Sequence, residues 1–437
     1  MQRFKPTWES IKTHTVPQWY EDCKLGIFIH WGLFSVPAYA PPSAELGAVP
    51  DDETWFCNNP YAEWYFNSVN VGKGPTYEHH IKTYGKDFAY ENFADMWKAE
   101  NWEPKKWAEL FRKAGANYVV LVTKHHDGFC LFPSAYTEYN STRRGPMRDI
   151  TGELTSAVRQ AGMKMGLYYS GIIDWRFAHD PMFCGEDVRL NNCPTHEYAD
   201  YAYKQSMELI DRYHPSVFWN DIGWPYAGKE NLPYLLAHYY NVCQDGVVND
   251  RFNGWHKDFS TKEYQSGQAN RREKWEMCRG LGLSFGYNAQ EGEEHILSVE
   301  KLVSLLVSTV ANNGNLLINV GPRADGTIPE NQADKLRGLG EWLAVNGEAI
   351  YGTRCGSREN ISTENGGIYF TEKEGQRFVI LDGLKKGDTT LTIPGMEGRA
   401  IPLDASVHAE SKETPDGLEV TVKDYDPGKC AAAFRVC

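Results

Sequence analysis

Apolar residues in this chain gather in short runs that stop abruptly at a polar or aromatic cluster, and stretches of helical periodicity separate the runs. The clearest runs are "KLGIFIHWG" (24–32), "NYVVLVTKHHDG" (117–128), "KMGLYYSG" (164–171), "SVFWND" (216–221), "GVVNDR" (246–251) and "NLLINVGP" (315–322). Between them, residues 103–115, 151–162 and 197–214 are amphipathic. After Ser298, the residues Val299, Leu302, Val303, Leu306 and Val310 recur at the spacing of one helical face. Strands apolar on both faces and alternating with helices predict a parallel sheet. Six or more such units within about 340 residues close most economically as a (β/α)8-like barrel. A doubly wound open sheet is the alternative, but it wants a glycine-rich phosphate loop, and the sequence shows none.

Beyond a helical stretch at 329–349 the pattern changes to short β-rich runs bounded by Gly, Pro and Asp, among them "GGIYFTEKEGQRFVILDGL", "DTTLTIPG" and "DGLEVTVKDYDPG". Leu418, Val420 and Val422 alternate with Glu419 and Thr421, the signature of a half-buried strand. The prediction is a barrel over 1–350 followed by a small C-terminal antiparallel β-sandwich over 351–437, with the boundary near Tyr351.

Composition narrows the function classes. At 437 residues and 49.7 kDa the chain can bury one large core and a smaller one. A formal net charge of −13 and a pI near 5.5, with no run of Lys and Arg, argue against nucleic acid or an anionic membrane as partner. No segment approaches a membrane span and the N-terminus has no apolar signal core, so a cytoplasmic protein is expected. A homo-oligomer is left open. Ten cysteines without a C-x-x-C pair or zinc-finger spacing read as ordinary thiols.

The polar clusters at the run ends carry the candidate chemistry. His30, His125, His126, Tyr168, Asp221 and Arg251 all fall at carboxyl ends of predicted strands, where barrel enzymes place their functional groups. Asp221 ends an apolar run between Trp219 and Trp224, as either a structural cap or a reagent. Indoles beside a carboxylate suit a sugar ring, which offers C–H faces to π surfaces. Neighbours on a strand point to opposite faces, so His125 and His126 reach one pocket only if the strand has already ended. No third ligand stands at metal spacing and no metal or other cofactor is expected. His30 reads equally as a hydrogen-bonded core histidine. Glu63 reads as a solvated helix residue unless Trp55, Trp64 and Tyr65 build a ring-binding wall around it. Cys130, in "FCLF", reads as a packed small hydrophobe.

Taken together, "KLGIFIHWGLFSVPAYA", "EWY", "KHHDGFCLF", "GLYYSGIIDWR", "FWNDIGWP", "SFGYN" and "NLLINVGPRADGTIP" resemble, in that order, the α-L-fucosidases of glycoside hydrolase family 29, in particular bacterial members of the broad-specificity kind. The resemblance runs from about residue 8 to 352 and implies a retaining exo-α-L-fucosidase acting on terminal α-L-fucosyl residues through a covalent fucosyl-enzyme. By motif match Asp221 is the nucleophile. A second carboxyl about 5–5.5 Å away is then the acid/base, first protonating the leaving oxygen and later activating water. The pattern "DF-x-T-x-EY" selects Glu263 for that role. Glu276 in "KWEMCRG" is the competitor, and residues 265–272 match no motif of the family. The resemblance further implies that His30, Glu63, Trp64, His125, His126 and Trp219 bind hydroxyls, that Tyr168 lies near the nucleophile and Arg251 near the reacting centre, and that Trp55 and Phe285 line the ring face or the pocket for the C5 methyl. Another retaining glycosidase, such as an α-galactosidase, and a non-catalytic fucose-binding protein remain as alternatives.

Overall fold

The computed structural model describes residues 3–46, 48, 52–190, 193–265, 271–364 and 366–437. Eight parallel strands form the first layer: β1 (Leu25–Ile29), β2 (Tyr118–Lys124), β3 (Lys164–Ser170), β4 (Val217–Asp221), β5 (Val247–Val248), β6 (Ser260–Glu263), β7 (Trp275–Gly280) and β8 (Gly314–Val320). They are hydrogen-bonded in the order β5-β4-β3-β2-β1-β8-β7-β6, with β1 between β2 and β8. A parallel bridge between Asn249 and Phe259 joins the two ends of that series and closes the sheet on itself. This is the barrel expected from the alternation of apolar runs and helices.

Most of the strands are apolar because they are covered on both sides. All residues of β1, β2, β4 and β8 are buried. Outside them pack the helices Pro104–Lys113, Ile150–Gln160, His196–Tyr213, Leu232–Val242, Val299–Ala311 and Glu330–Asn346. Most begin with a recognisable signal. Thr195 and Ser298 accept from the backbone N–H three residues on, and proline stands in the first turn of 104–113 and 232–242. The barrel departs from strict β/α alternation between β5 and β6, where residues 249–259 return directly without a helix.

From Arg354 the chain is antiparallel. One sheet runs β-order Ile361–Ser362, Gly367–Lys373, Gln376–Asp382, Ala432–Val436, Ala400–Pro402, with Arg354–Cys355 paired beside it, and a second consists of Gly387–Pro394, Gly417–Tyr425 and His408–Thr414. A separate apolar cluster that includes Ile368, Leu381, Val420, Val422 and Phe434 lies between them. No helix among the described residues is long and apolar enough to cross a membrane.

Candidate active site

The carboxyl ends of the strands surround a cavity of about 220 Å³, and all twelve side chains to which the resemblance gives a role line it: His30, Trp55, Glu63, Trp64, His125, His126, Tyr168, Trp219, Asp221, Arg251, Glu263 and Phe285. Glu276, the rival carboxylate, does not. A larger open groove of about 700 Å³ lies at the opposite end of the barrel, but among the described residues the only carboxylate lining it is Asp22, held by Arg354 at 2.7 Å. Volume therefore does not locate the chemistry; the paired acids do.

Asp221 is the last residue of β4. Its Oδ2 accepts from the Tyr168 hydroxyl at 2.6 Å, and its Oδ1 accepts from the Ile222 backbone N–H at 2.8 Å and from Arg251 Nη1. Burial alone would raise its pKa, but Arg251, His126 and Tyr168 outweigh burial and hold it below the usual carboxylate range. The carboxylate is thus ionised and fixed in direction. Directly after it, Ile222 has φ of 61°, a left-handed conformation that is costly for a β-branched residue.

Arg251, three residues beyond β5, joins the two acids: Nη1 meets Asp221 and Nη2 meets Glu263 Oε2 at 3.0 Å. Its Nε donates to Thr261 Oγ1 at 3.1 Å and its guanidinium lies 4.7 Å from the centroid of the Trp219 ring. Glu263 ends β6, and its other oxygen accepts from the Tyr61 hydroxyl at 3.0 Å. One guanidinium spans both carboxylates and screens their mutual repulsion.

β2 ends at Lys124, so His125 and His126 are no longer constrained to opposite faces and both enter the cavity, with ring centroids 4.1 Å apart. Two contacts fix this loop. Lys124 Nζ is buried against Asp174 at 2.9 Å, and Gly128 allows Asp174 to approach so closely that a Cβ there would lie 2.6 Å from its carboxylate. The histidine tautomers follow from their neighbours. Ser170 Oγ donates to the Ile173 carbonyl at 2.6 Å, so it accepts from His126 Nδ1 at 2.7 Å and leaves Nε2 as an acceptor. Asn319 Nδ2 donates to the Phe285 carbonyl at 2.6 Å, so its Oδ1 accepts from His30 Nδ1 at 2.7 Å, again leaving Nε2. Burial pushes the pKa of His30 down to about 3 and that of His126 to about 4, and it pushes His125 well below its ordinary value. All three rings are neutral at neutral pH.

Glu63 and Trp64 lie on the turn Ala62–Trp64, and Trp55 on the helix Asp52–Cys57, both in the long connection between β1 and β2. Glu63 Oε2 accepts from the Gly286 N–H at 2.7 Å and from Ser284 Oγ at 3.3 Å. Burial outweighs these bonds and raises its pKa to about 8. Glu63 is buried rather than a solvated helix residue. Trp64 stands edge-on to His126 at 5.3 Å, Trp55 edge-on to Tyr61 at 5.5 Å, and Phe285 lies 4.8 Å from His30.

Two expectations need correction. Trp219 turns its ring to the cavity, but its N–H is already given to Glu276 Oε1 at 2.9 Å, so it has no donor left for a sugar hydroxyl. Trp224, the other tryptophan beside Asp221, is absent from the cavity wall. It packs against Phe252 and donates to the Gly228 carbonyl at 3.2 Å. Conversely, Tyr61 and Phe28 line the cavity without having been singled out. The signal for Tyr61 was its place two residues before Glu63.

Residues 1–348 match the model of the family described as α-L-fucosidase. The chain belongs to the α-L-fucosidase family. An α-L-fucosidase of Dictyostelium discoideum is 32% identical over 455 residues, covering 98% of this chain and 94% of the relative. Among solved structures, the α-L-fucosynthase variant from Thermotoga maritima, in complex with α-L-Fuc-(1-2)-β-L-Fuc-N3, superimposes with a TM-score of 0.92 at 49% identity, and the Thermotoga maritima α-fucosidase in complex with fucose with 0.89 at 47%; each covers 100% of both chains. The enzyme is an exo-α-L-fucosidase, a glycoside hydrolase. Among the described residues no group of three or more His, Cys, Asp and Glu side chains is arranged to hold a metal ion. Full activity on an aryl α-L-fucoside is expected after exhaustive chelation, and activity lost to chelator and restored by a divalent cation would contradict this.

Proposed function

We propose that the enzyme hydrolyses α-L-fucosides with retention, by double displacement through a covalent fucosyl-enzyme on Asp221 with Glu263 as acid/base, and that it belongs to the bacterial, broad-specificity kind. The observation that carries this reading is the Arg251 guanidinium joining the two carboxylates at the cavity. Inverting enzymes need carboxyl groups about 6.5–9.5 Å apart with room for a water between them, whereas retaining enzymes hold them about 5–5.5 Å apart. Asp221 has the features of a nucleophile, being ionised, at a strand end and held by three donors. Glu263 is the more exposed of the two acids, as a group that must meet both the leaving oxygen and the incoming water would be. Glu276, fully buried and outside the cavity, has no route to a leaving oxygen.

A cavity of about 220 Å³ is smaller than the roughly 300–1,000 Å³ of sites for drug-sized ligands, which suits one terminal sugar ring and an aglycone left outside. Neutral His30 and His126 offer Nε2 acceptors to hydroxyls, His125 offers a ring whose Nδ1 has no protein partner, and Trp55, Trp64 and Trp219 supply ring faces. Phe285, with Phe28 at 6.4 Å, is the apolar corner for the C5 methyl. We place the division between barrel and C-terminal unit at 350. Hydrolysis of an aryl α-L-fucoside with α-L-fucose as first product, and no comparable hydrolysis of the aryl α-galactoside, is the result that tests this reading; first-formed β-L-fucose would overturn retention.

Glu63 yields a pH prediction. Because its carboxyl titrates near pH 8, it is protonated at neutral pH and donates a hydrogen bond to a sugar hydroxyl. Glu63→Gln retains a donor at that place, while Glu63→Ala leaves a hydroxyl unpaired and is expected to cost on the order of 10- to 100-fold in kcat/KM. KM of the native enzyme should rise as Glu63 ionises through pH 8, and that rise should be missing in Glu63→Gln. The same raised pKa means that the folded state holds a proton which the unfolded state gives up near pH 4.5, so this group's contribution to stability is present below that pH and is lost as pH rises through 8. A native KM flat from pH 6 to 9 would refute the assignment.

A further inference from the structure

The carboxylate that competes with Glu263 in the sequence has a different place in the structure. Glu276, the second residue of β7, points into the barrel and is fully buried. A buried carboxylate is costly unless its lone pairs are met, and here three donors meet them: Tyr20 at 2.8 Å and Tyr118 at 2.5 Å on Oε2, and the Trp219 N–H at 2.9 Å on Oε1. Tyr118 can stand inside the barrel because its ring lies over Gly26, where any Cβ would come within 2.3 Å of it. The carboxylate is therefore pinned from the side away from the cavity and holds Trp219 by its one polar atom.

Trp219 in turn supports Asp221 by two routes. Its ring lies beneath the Arg251 guanidinium at 4.7 Å, the group that joins Asp221 to Glu263. It also stacks on Tyr168, at 5.5 Å and 19°, whose hydroxyl donates to Asp221. We infer that Glu276 is a positioning residue for the reaction: by fixing the Trp219 indole it sets the placement of Arg251 and Tyr168, and through them the direction of the nucleophile and its separation from the acid/base. This rests on the reading of Asp221 and Glu263 given above.

The test compares Glu276→Gln with Glu276→Leu, each alone and in a Trp219→Phe background, by kcat and KM on activated and poor fucosides and by Tm. Gln keeps an oxygen for the indole N–H, and a tyrosine hydroxyl can turn to accept from its amide. Leu keeps neither. Glu276→Leu is expected to lower kcat on the order of 10- to 100-fold, the cost of an ångström-scale misplacement, with a smaller change in KM. The loss should be equal for good and poor leaving groups and should not be recovered by azide, and Glu276→Gln should recover most of it. With Phe at position 219 there is no N–H to hold, so Glu276→Leu should add little. Should Glu276→Leu fail to fold, Tyr118→Phe, which loosens the carboxylate, should lower kcat in the same pattern. A fall in Tm with kcat intact, a Gln variant as impaired as Leu, or a loss that multiplies in the Trp219→Phe background would each overturn the inference. Leaving-group-dependent loss with azide recovery would instead make Glu276 the acid/base. Failure of the reading beneath is read separately, from the azide products of the Asp221 and Glu263 variants.

Discussion

Asp221→Gly should fold and bind substrate while losing several orders of magnitude in kcat, since covalent catalysis and the charge facing the anomeric carbon disappear together. The fold should survive because the deleted carboxylate faces a solvent-accessible cavity, where water can take up the hydrogen bonds of Tyr168 and the Ile222 N–H, and because Arg251 keeps its bond to Glu263. The vacated space is next to a cation, which favours a small anion. Azide should therefore enter it, attack from the nucleophile's side and give the β-fucosyl azide, restoring turnover of activated α-fucosides in part. The measurement is kcat with and without azide, with the anomeric configuration of the product. Near-native turnover without azide would remove Asp221 from the mechanism.

The barrel was legible because six of its strands, β1 to β5 and β8, are buried on both faces and so read as apolar runs. The other two were not. β6 reads "STKE", with each side chain only partly buried, and β7 reads "WEMCRG", whose buried positions include Glu276. A polar residue inside a barrel breaks the apolar run that announces a strand, and it is there because three donors are brought to it from β2, β4 and the helix before β1. That partnership is invisible along the chain.

The site shows the same boundary between what is local and what is not. That His125 and His126 share a pocket depended on where β2 ends, a local matter that the polar "KHHDG" signalled. Trp224 misled because adjacency in sequence was taken for adjacency in space. The positive φ of Ile222 and the 149° φ of Gly223 turn the chain away, sending Trp224 into the core beside Phe252. The support of Glu263 by Tyr61 spans 202 positions and could be found only in the folded molecule. Of the unmatched stretch between the two acids' candidates, residues 266–270 lie outside the described residues.

The acid/base assignment leads to the second large effect. Glu263→Ala should slow fucosyl transfer to Asp221 most for poor leaving groups, which need a proton, and least for activated aryl fucosides, which do not. Since Arg251 and Tyr61 both lose a partner in this variant but stay anchored elsewhere, Arg251 on Asp221 and Tyr61 against Phe285 at 5.4 Å, the nucleophile should remain in place and the first step should stay competent for good leaving groups. Deacylation-like hydrolysis of the intermediate then lacks its base, so the covalent fucosyl-enzyme should accumulate and show as a burst of aryl alcohol followed by slow turnover. Azide needs no deprotonation. It should restore turnover and, attacking the intermediate from the face opposite Asp221, yield the α-fucosyl azide, the anomer opposite to that from Asp221→Gly. Opposite anomers from the two variants would identify the two carboxylates by stereochemistry, independent of how large either rate loss is. Normal hydrolysis of poor substrates by Glu263→Ala, with the α-azide appearing instead from Glu276→Ala, would transfer the acid/base role to Glu276 and leave Asp221 as nucleophile.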